Sequence, residues 1–522
     1  MTRSRAHISF AALLVILFLT FLDNTIISAV LTSVQADLHA GVPQLQWIVG
    51  GYALTFATFM LIFGSIGDIL GRKKVMLVGV LVFIVGAVAC AVSLDLKTLI
   101  TGRMIMGLGA AASEPATLAL ISRIYSGRMS QSKAFGLWAA VSGLALAMGP
   151  ILGGGLLSAW SWRSIFWFNV IFGVAALVAG FIFLPKDLPR LHRHVDWFGF
   201  LTGGVALSLG IYATIEGETL GYRSTRITEL FGAAIVFGVL FYIIEKRVKE
   251  PMIKPSNFRI RAFTGSIFIA FASYFSIFAI FFFVALYLEI IQSVSALRLA
   301  MDFLPLLLGI VISGIFSGRW MAREGSRIPL ASGCLISAVG LFGTRMVISP
   351  TVSFPTLALM LGISGIGFGL LVAPLNATAI WSLPEKDSGV AASSVNTGRE
   401  FGAVAGVAIL GSMVNGQLTN HLMSRLIQLG IPASFRSIVI TAITTGNFNS
   451  QAQAATKGAS IDVKTLINKV VSAAYGALSH GLFLALTAAG VLLLIASAVA
   501  IGLIPSGNLA QVRLAPSDGV DN

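Results

Sequence analysis

The sequence predicts an all-α membrane protein, and its composition, its long apolar stretches and the placement of its basic residues carry that prediction. Of the 522 residues, 56% are hydrophobic and only 11% are charged, and the mean hydropathy is +0.90. A soluble domain is about one-quarter charged. A helix needs roughly 20 mainly apolar residues to cross the hydrocarbon core, and this chain supplies such stretches almost from end to end. Lipid is therefore expected to be the main solvent of the folded chain.

Apolar runs between charged or turn-rich residues predict about fourteen membrane spans, six in each half of the chain and two between the halves. The first run resembles the apolar region of a signal peptide, but it continues through Asp23 without a cleavage site, so we interpret it as a span. The predicted spans are 8–33, 47–66, 75–93, 98–122, 134–157, 164–184, 196–216, 228–245, 263–290, 296–318, 328–348, 354–382, 395–418 and 477–504.

The positions of Lys and Arg predict the orientation in the membrane. The formal net charge of +14 would suit a nucleic-acid partner, but the basic residues concentrate in alternate short connections, as in cytoplasmic loops. We therefore predict no nucleic-acid partner and place both termini in the cytoplasm. The predicted cytoplasmic residues are Arg3, Arg5, Arg72, Lys73, Lys74, Arg123, Arg128, Lys133, Lys186, Arg190, Arg193, Lys246, Arg247, Lys249, Lys254, Arg259, Arg261, Arg319, Arg323 and Arg327.

The chain is predicted to have three parts. Two basic, Gly-bearing loops, 64–74 and 317–327, occupy matching places in the two six-span halves, as expected of a transporter built from parallel repeats. The predicted parts are an N-terminal six-helix bundle (1–195), two inserted linker helices (196–250) and a C-terminal six-helix bundle (251–522) with a long external loop at 419–476.

The connection after the second span carries the pattern Gly64-x-x-x-Asp68-x-x-Gly71-Arg72-Lys73-Lys74. It resembles the loop between spans two and three of the major facilitator superfamily, and nearly the whole chain resembles the fourteen-span drug:proton antiporters of that superfamily, the EmrB/QacA group. The resemblance implies the major facilitator fold. Gly64 and Gly71 would let helix ends approach closely, and Asp68 would meet a helix N-terminus or Arg72 and latch one conformation. A solvated turn that only sets topology is the alternative.

Charged residues inside spans one and four are the predicted proton-coupling residues. Arg103 begins an R-x-x-x-G pattern in span four, and Asp23 lies in the run Leu-Asp-Asn-Thr-Ile-Ile at 22–27; both patterns resemble those of the family. A charge at the centre of a span costs about 2.5–3.5 kcal/mol, so such a residue usually faces a cavity or a partner. Span one runs outward and span four inward, so Asp23 and Arg103 are expected to face a common cavity in the outer half. Surface positions at the helix ends are the alternative.

Glu114 is the third predicted proton-coupling residue. It follows Arg103 by eleven residues, which at about 100° per residue returns to within about 20° of the same helix face. The two charges are roughly 16 Å apart along the axis, too far for a direct ion pair. Each is therefore expected to have other partners.

A Gly-rich stretch in span five resembles the G-P-x-x-G-G pattern of exporters in this superfamily. A proline removes a helix hydrogen bond and glycines permit close packing, so the stretch predicts a pliable seam between the two halves. Generic helix packing is the alternative. The residues are Gly143, Gly149, Pro150, Gly153 and Gly154.

The second half adds weaker candidates for a cavity. Arg399 and Glu400 lie in the run Asn-Thr-Gly-Arg-Glu-Phe-Gly at 396–402, which resembles the family's entry to span eleven of the standard count. Many relatives carry Gln where Glu400 stands, so its role near the inner mouth is open. Glu289 and Asp302 flank an external connection, and Asp302, a few residues inside the next span, is the better cavity candidate.

These features favour a transporter over other classes. The chain has no G-x-x-x-x-G-K-[ST] phosphate loop, which disfavours an ATP-driven pump, and its six His residues have no metal-ligand spacing, so no metal or other cofactor is predicted. The resemblance implies a proton-coupled exporter of amphipathic or hydrophobic small molecules such as drugs, working by alternating access. Export of an endogenous lipid or siderophore-like metabolite, or a polytopic membrane enzyme acting on a lipid-linked substrate, are the alternatives.

The expected partners follow from that class. They are an amphipathic small-molecule substrate, protons and membrane lipids, with the protein working as a monomer in the cell (inner) membrane. A periplasmic adaptor is expected only if the protein comes from a bacterium with two membranes.

Overall fold

The computed structural model describes residues 3–40, 42–125, 127–187, 196–248, 251, 253–292, 296–349, 352–384, 387–428 and 461–506. All regular structure within these ranges is helical. The helices are α1 (Arg3–Ile26), α2 (Leu31–Leu38), α3 (Val42–Leu70), α4 (Arg72–Ala91), α5 (Leu96–Ile124), α6 (Arg128–Ala159), α7 (Ser164–Phe183), α8 (Trp197–Leu220), α9 (Thr225–Arg247), α10 (Arg261–Ala279), α11 (Ala285–Gln292), α12 (Ala296–Glu324), α13 (Arg327–Val347), α14 (Phe354–Ser382), α15 (Ser388–Gln428) and α16 (Ile461–Leu503).

Within the described ranges, 12 helices are long and apolar enough to cross a membrane. The count rises to 13 if α6, which bends by 43° between Leu146 and Ile151, is one span. The bend falls in the stretch that contains Pro150, whose missing N–H weakens a helix locally. The long helix α15 contains the predicted span 395–418 and is not among the 13, so the total of fourteen spans and the cytoplasmic termini stay predictions.

The helices pack mainly within two groups of six. Helices α1, α3, α4, α5, α6 and α7 contact one another, and so do α10 and α12–α16. Between the groups, α6 packs along α12 and α3 packs along α15. Helix α5 is the most buried of the spans, which places its polar residues in the interior of the protein. The predicted domain boundaries lie at the edges of stretches outside the described residues and stay predictions.

The hairpin of α8 and α9 lies between the two groups in sequence and beside both in space. Helix α9 is almost entirely surface-exposed, whereas α8 packs against α3 and α15. Near the inner end, Ile62, Ile253 and Val390 form a small separate apolar cluster. Three contacts fasten α8 to α3 at successive heights: Trp47 Nε1 donates to Glu216 Oε1 at 3.0 Å, Ser208 Oγ lies 3.3 Å from Thr58 Oγ1, and the rings of Phe59 and Phe200 are 6.4 Å apart.

The two basic loops that suggest an internal repeat each contain a glycine with positive φ. Helices α3 and α4 are joined by Gly71 with φ +110°, and the corresponding turn between α12 and α13 contains Gly325 with φ +89°. Glycine adopts positive φ without the steric cost that a side chain would impose. Each of the two basic loops therefore turns through a glycine in a conformation that other residues adopt only at a cost.

Three helices, α1, α15 and α16, differ clearly from the predicted spans. The first span, predicted at 8–33, ends as an α-helix at Ile26 and continues as a short 3-10 turn and α2. Helix α15 begins at Ser388 instead of 395 and continues to Gln428, and α16 begins at Ile461, so both ends of the predicted loop 419–476 are helical. The middle of that loop lies outside the described residues, as do Arg190, Arg193, Lys249 and the side chains of Arg3, Arg5, Arg128, Pro150 and Glu289.

Candidate functional site

Asp23 and Arg103 form a direct ion pair that is sealed inside the N-terminal group. An oxygen of Asp23 on α1 contacts Nη1 of Arg103 on α5, and the two side chains are 0% and 1% exposed. The other Asp23 oxygen accepts a hydrogen bond of 2.8 Å from Nδ2 of Asn169 on α7. Three helices therefore meet at one carboxylate. The sequence placed Asp23 and Arg103 on a common cavity, and the structure places them in contact.

Arg103 is held by α3 as well. Its Nε donates to the backbone oxygen of Ile48 at 2.9 Å, and its guanidinium lies 4.6 Å from the ring centre of Tyr52. Every buried side-chain nitrogen and oxygen of Asp23 and Arg103 has a hydrogen-bond partner. We call Asp23, Arg103, Asn169 and Tyr52 the outer cluster. Breaking a buried pair by removing one partner leaves an uncompensated charge, so each member depends on the others.

Sequence reasoning missed Asn169 and Tyr52. A signal existed for Asn169, because a lone amide within the apolar span 164–184 needs a hydrogen-bond partner inside the bundle. The identity of that partner depends on how α7 packs against α1, which the sequence pattern does not give.

Glu114 lies deeper along α5 and has different surroundings. It is 2% exposed, and its Oε2 has no hydrogen-bond partner among the described residues. The charges of Arg399 and Glu400, on α15 of the other helix group, act on it electrostatically. Arg103 therefore has the separate partner that was expected, whereas Glu114 Oε2 has none among the described residues.

Arg399 is fully buried and faces aromatic rings from both groups. Its guanidinium lies 5.6 Å from the ring centre of Trp138 on α6 and 5.3 Å from that of Tyr274 on α10. Nη1 donates to Oδ1 of Asn396 at 2.9 Å, whereas Nε and Nη2 have no partner in the described chain. We call Glu114, Arg399, Glu400, Trp138 and Tyr274 the central cluster. Glu400 lies here, away from the inner mouth where it was expected, because α15 begins seven residues before the predicted span.

A narrow cavity adjoins the central cluster between the two groups. It is lined mostly by apolar and aromatic side chains, and its volume is about 30 Å³. Pockets for drug-sized ligands are roughly 300–1,000 Å³, so this cavity is too small for such a ligand in the present conformation. Tyr274 belongs to both the cavity wall and the central cluster; other lining residues are Ser142, Gly143, Phe278, Phe281 and Ile310.

Asp68 joins the two groups at the predicted cytoplasmic side. Its carboxylate accepts hydrogen bonds of 3.1 Å from the backbone N–H groups of Gly389 and Val390, at the start of α15. It also pairs with Arg72 Nε at 2.9 Å. Both contacts considered for Asp68 are thus present at once. Gly64 allows this approach, because a Cβ built there would lie 2.8 Å from the backbone oxygen of Gly389.

Asp187 caps the start of α4 next to that junction and was not predicted as a site residue. Its two oxygens accept from the backbone N–H groups of Lys73 and Lys74 at 2.9 and 3.1 Å. A Cβ at Gly71 would meet its carboxyl carbon at 2.5 Å. An acidic residue inside a basic loop, next to Lys186, is poorly distinguished from ordinary surface charge, so the sequence signal was weak.

The predicted glycine seam of span five divides into three parts. A Cβ at Gly143 would lie 2.8 Å from Ile310 of α12, so Gly143 does face the other group. Gly149 and Gly153 instead face α1, where built Cβ atoms would lie 2.8 Å from the backbone of Ile26. Gly154 has nothing within 4 Å. Packing against α1 was not foreseen because one helix face does not reveal its neighbour.

Other glycines make the close contact between α6 and α12. A Cβ at Gly136 would lie 3.0 Å from the backbone oxygen of Gly314, and one at Gly318 would lie 3.2 Å from Cα of Gly136. The remaining cavity candidate, Asp302, is paired with Arg298 at 3.1 Å within α12. Asp302 is therefore held by a residue of its own helix near that helix's start.

Comparisons with known proteins agree with this architecture. The chain is 31% identical to the methylenomycin A resistance protein of Bacillus subtilis over 412 residues, covering 77% of this chain and 87% of the relative. It is 28% identical to the multidrug resistance protein Stp of Mycobacterium tuberculosis, covering 84% and 81%. The solved structure of the human organic anion transporter MFSD10 matches with a TM-score of 0.59 at 14% identity, covering 96% of this chain and 100% of that chain.

A family model assigns the chain over most of its length. The model, described as Major Facilitator Superfamily, matches residues 13–407. This match confirms the expected fold class and excludes the polytopic-enzyme alternative, because the family consists of membrane transporters of small molecules. The chain belongs to the Major Facilitator Superfamily and is a multi-pass membrane transporter.

Proposed function

We propose that the protein exports amphipathic small molecules, drugs among them, across the cell membrane in exchange for protons. The observation that carries the proposal is the ion pair of Asp23 and Arg103, buried among three helices of the N-terminal group. A carboxylate in that position can be neutralised by a proton. Asp23, Arg103 and Glu114 are the proposed proton-coupling residues.

Protonation of Asp23 would change the packing energy of the outer cluster. The Arg103 charge would then lack its counter-charge in a site with no exposure to water, and leaving one buried charge uncompensated costs about 3–5 kcal/mol. The helices that meet at Asp23 would be driven to rearrange. A ligand shifts a conformational equilibrium only if it binds the two states with different affinities. A proton on Asp23 would meet this condition, because it is unfavourable in the state where Arg103 is sealed beside it.

The junction of Asp68 with α15 is the proposed latch of this equilibrium. It joins the two helix groups through two backbone N–H groups and closes the predicted cytoplasmic side. The proposed latch residues are Gly64, Asp68, Gly71 and Arg72. Opening that side requires these bonds to break, which fits alternating access with the two groups moving as bodies.

The relatives support the direction of transport. Two of them are named for resistance, to methylenomycin A and to multiple drugs. A membrane transporter confers resistance by lowering the amount of drug inside the cell, which favours export. The aromatic lining of the central cavity and the nearby carboxylates of Glu114 and Glu400 suit an amphipathic substrate.

The test uses purified protein in liposomes with an imposed pH gradient and the amphipathic dye ethidium as probe. We expect dye movement driven by the gradient, and dye-driven proton movement, in the wild type. Asp23→Asn should lose both coupled movements, because the residue at 23 can no longer change charge, while gradient-independent exchange of dye persists. Arg103→Ala should also lose coupling.

The matched control is Asp37→Asn, which removes an exposed acid of the same helix group that pairs with Arg163 at 2.9 Å. It should transport like the wild type. Full coupling in Asp23→Asn would remove Asp23 from the mechanism. Dye movement in the wild type that ignores the pH gradient would refute proton coupling altogether.

A further inference from the structure

The central cluster contains hydrogen-bonding atoms without partners. Nε and Nη2 of Arg399 and Oε2 of Glu114 are buried and unpaired within the described part of the chain. Buried polar groups are almost always hydrogen-bonded, and each exception calls for an explanation. Arg399 and Glu114 carry opposite charges and belong to different helix groups.

The two unpaired donors of Arg399 lie on one edge of the guanidinium. Nε–H and the adjacent hydrogen of Nη2 are parallel, and this two-donor edge matches the two oxygens of a carboxylate. The opposite end of the group, Nη1, is already bonded to Asn396. Trp138 and Tyr274 lie against the guanidinium, which limits its rotation. Arg399 thus has a pre-formed and empty carboxylate-binding edge.

Two carboxylates lie near enough to act on this charge, and helix geometry distinguishes them. Glu400 follows Arg399 directly on α15, so its side chain leaves the helix about 100° away from that of Arg399. Glu114 approaches from α5 of the other group and has the unpaired oxygen. Glu114 is therefore the carboxylate that fits the empty edge.

We propose that Arg399 is a positioning residue that receives the Glu114 carboxylate on its Nε–Nη2 edge, forming an ion pair across the interface of the two helix groups. The pair forms when Glu114 is deprotonated and no substrate lies between the two side chains, and it draws α5 and α15 together in the centre. Its place in the transport cycle rests on the proposed function. Three other titratable groups interact electrostatically with Glu114: Glu400, Tyr274 and Tyr52. Tyr52 is in turn subject to the charges of Asp23 and Arg103 in the outer cluster.

The test measures the distance between the two groups directly, with no transport required. Cys90 and Cys334, both buried, are replaced by Ala, and spin labels are placed at the exposed positions Thr101 on α5 and Ile409 on α15. Distances are recorded in lipid nanodiscs at low and high pH without substrate. In the wild type we expect a shift to shorter distances at high pH.

The variants separate the pair from other titrating groups. Glu114→Gln and Arg399→Ala should both lose the pH-dependent shift, and Arg399→Lys should restore only part of it, because Lys keeps the charge but lacks the two-donor edge. The surface control Glu229→Gln should keep the full shift.

Two outcomes would overturn the inference. A full shift in both Glu114→Gln and Arg399→Ala would show that the two residues do not pair. A shift lost only in Asp23→Asn would assign the movement to the outer cluster, which would leave the proposed function standing and reject this pair. Melting temperatures of all variants are recorded in parallel to identify any that is unfolded. An unfolded variant is replaced by another neutral polar substitution, Asn or Gln, at the same position.

Discussion

Helix α5 carries two charged clusters that differ in how completely their hydrogen bonds are made. In the outer cluster, the charged atoms of Asp23 and Arg103 are paired with each other, with Asn169 and with the backbone of Ile48. In the central cluster, Oε2 of Glu114 and Nε and Nη2 of Arg399 have no partner within the described ranges. The outer cluster lies within one helix group, whereas the central cluster joins both.

The difference suggests a division of labour along one helix. In the outer cluster the charged atoms are paired and only the neutral Oδ1 of Asn169 lacks a partner among the described residues, so we expect this cluster to change mainly when a proton alters its charge. A cluster with unpaired buried atoms is strained here and is expected to be better satisfied in another conformation or with a ligand present. The first responds to protons and the second to the relative position of the two halves.

The largest expected effect comes from removing the arginine of each cluster in turn. Arg103→Ala leaves the Asp23 carboxylate buried without its counter-charge and should lower the free energy of unfolding by about 3–5 kcal/mol. Arg399→Ala removes one hydrogen bond to Asn396 together with two unpaired donors, so its cost should be smaller, about 1–3 kcal/mol. Melting temperatures in one detergent at one scan rate give the comparison. Equal losses would contradict the difference between the clusters.

The second comparison removes the amide of each cluster. Asn169→Ala takes away a hydrogen bond to a charged carboxylate inside the sealed cluster, so we expect a loss of about 1.5–3 kcal/mol. Asn396→Ala removes the hydrogen bond to Arg399, whose cluster is already incomplete, and should cost about 1 kcal/mol. The same melting measurement orders the two variants. A greater loss of stability in Asn396→Ala than in Asn169→Ala would contradict the conclusion that the outer cluster is the more completely hydrogen-bonded of the two.

The smallest expected effect comes from the exposed ion pair of Asp37 and Arg163, with which the two buried clusters can be compared. Hydrogen bonds from Trp162 and Arg163 hold the pKa of Asp37 below its ordinary value of 3.8. A lowered pKa in the folded state stabilises the protein above the unfolded-state pKa, and this contribution is lost as the pH falls through the folded-state pKa. Asp37→Asn should therefore cost a small amount of stability at pH 7, small because the pair is exposed, and this difference from the wild type should disappear as the pH falls below about 4. A melting curve series from pH 7 to pH 3 checks it, and a large effect at pH 7 would be the contrary result.

The sequence predicted the fold because a membrane span is a property of local composition. Stretches such as 164–184 and 354–382 needed only length and hydropathy, and α7 and α14 match them within a residue or two. The start of α15 was missed because Ser388 and its neighbours are small and polar, so hydropathy did not detect the first two turns. That error displaced Glu400 to the inner mouth.

The candidate site was predicted one residue at a time, without its contacts. Asp23, Arg103 and Glu114 were identifiable because a charge within an apolar span is costly and unusual. Asn169, Trp138 and Tyr274 contribute through packing between helices that are distant in sequence, which no local pattern contains. For the same reason, Gly149 and Gly153 were assigned to the interface of the two halves although they pack against α1.

The attachment of α8 along α3 has a mechanical consequence in the bilayer. Helix α8 packs against α15 as well as α3, but the three side-chain contacts described above join it to α3. If the hairpin moves with α3, the N-terminal group moves eight of the described helices through the lipid and the C-terminal group moves six. When two bodies rotate against each other in a viscous medium, the body with the lower friction turns through the larger angle. The C-terminal group would therefore sweep through the larger angle, and the viscosity of the surrounding lipid would weigh most on the side that carries the hairpin.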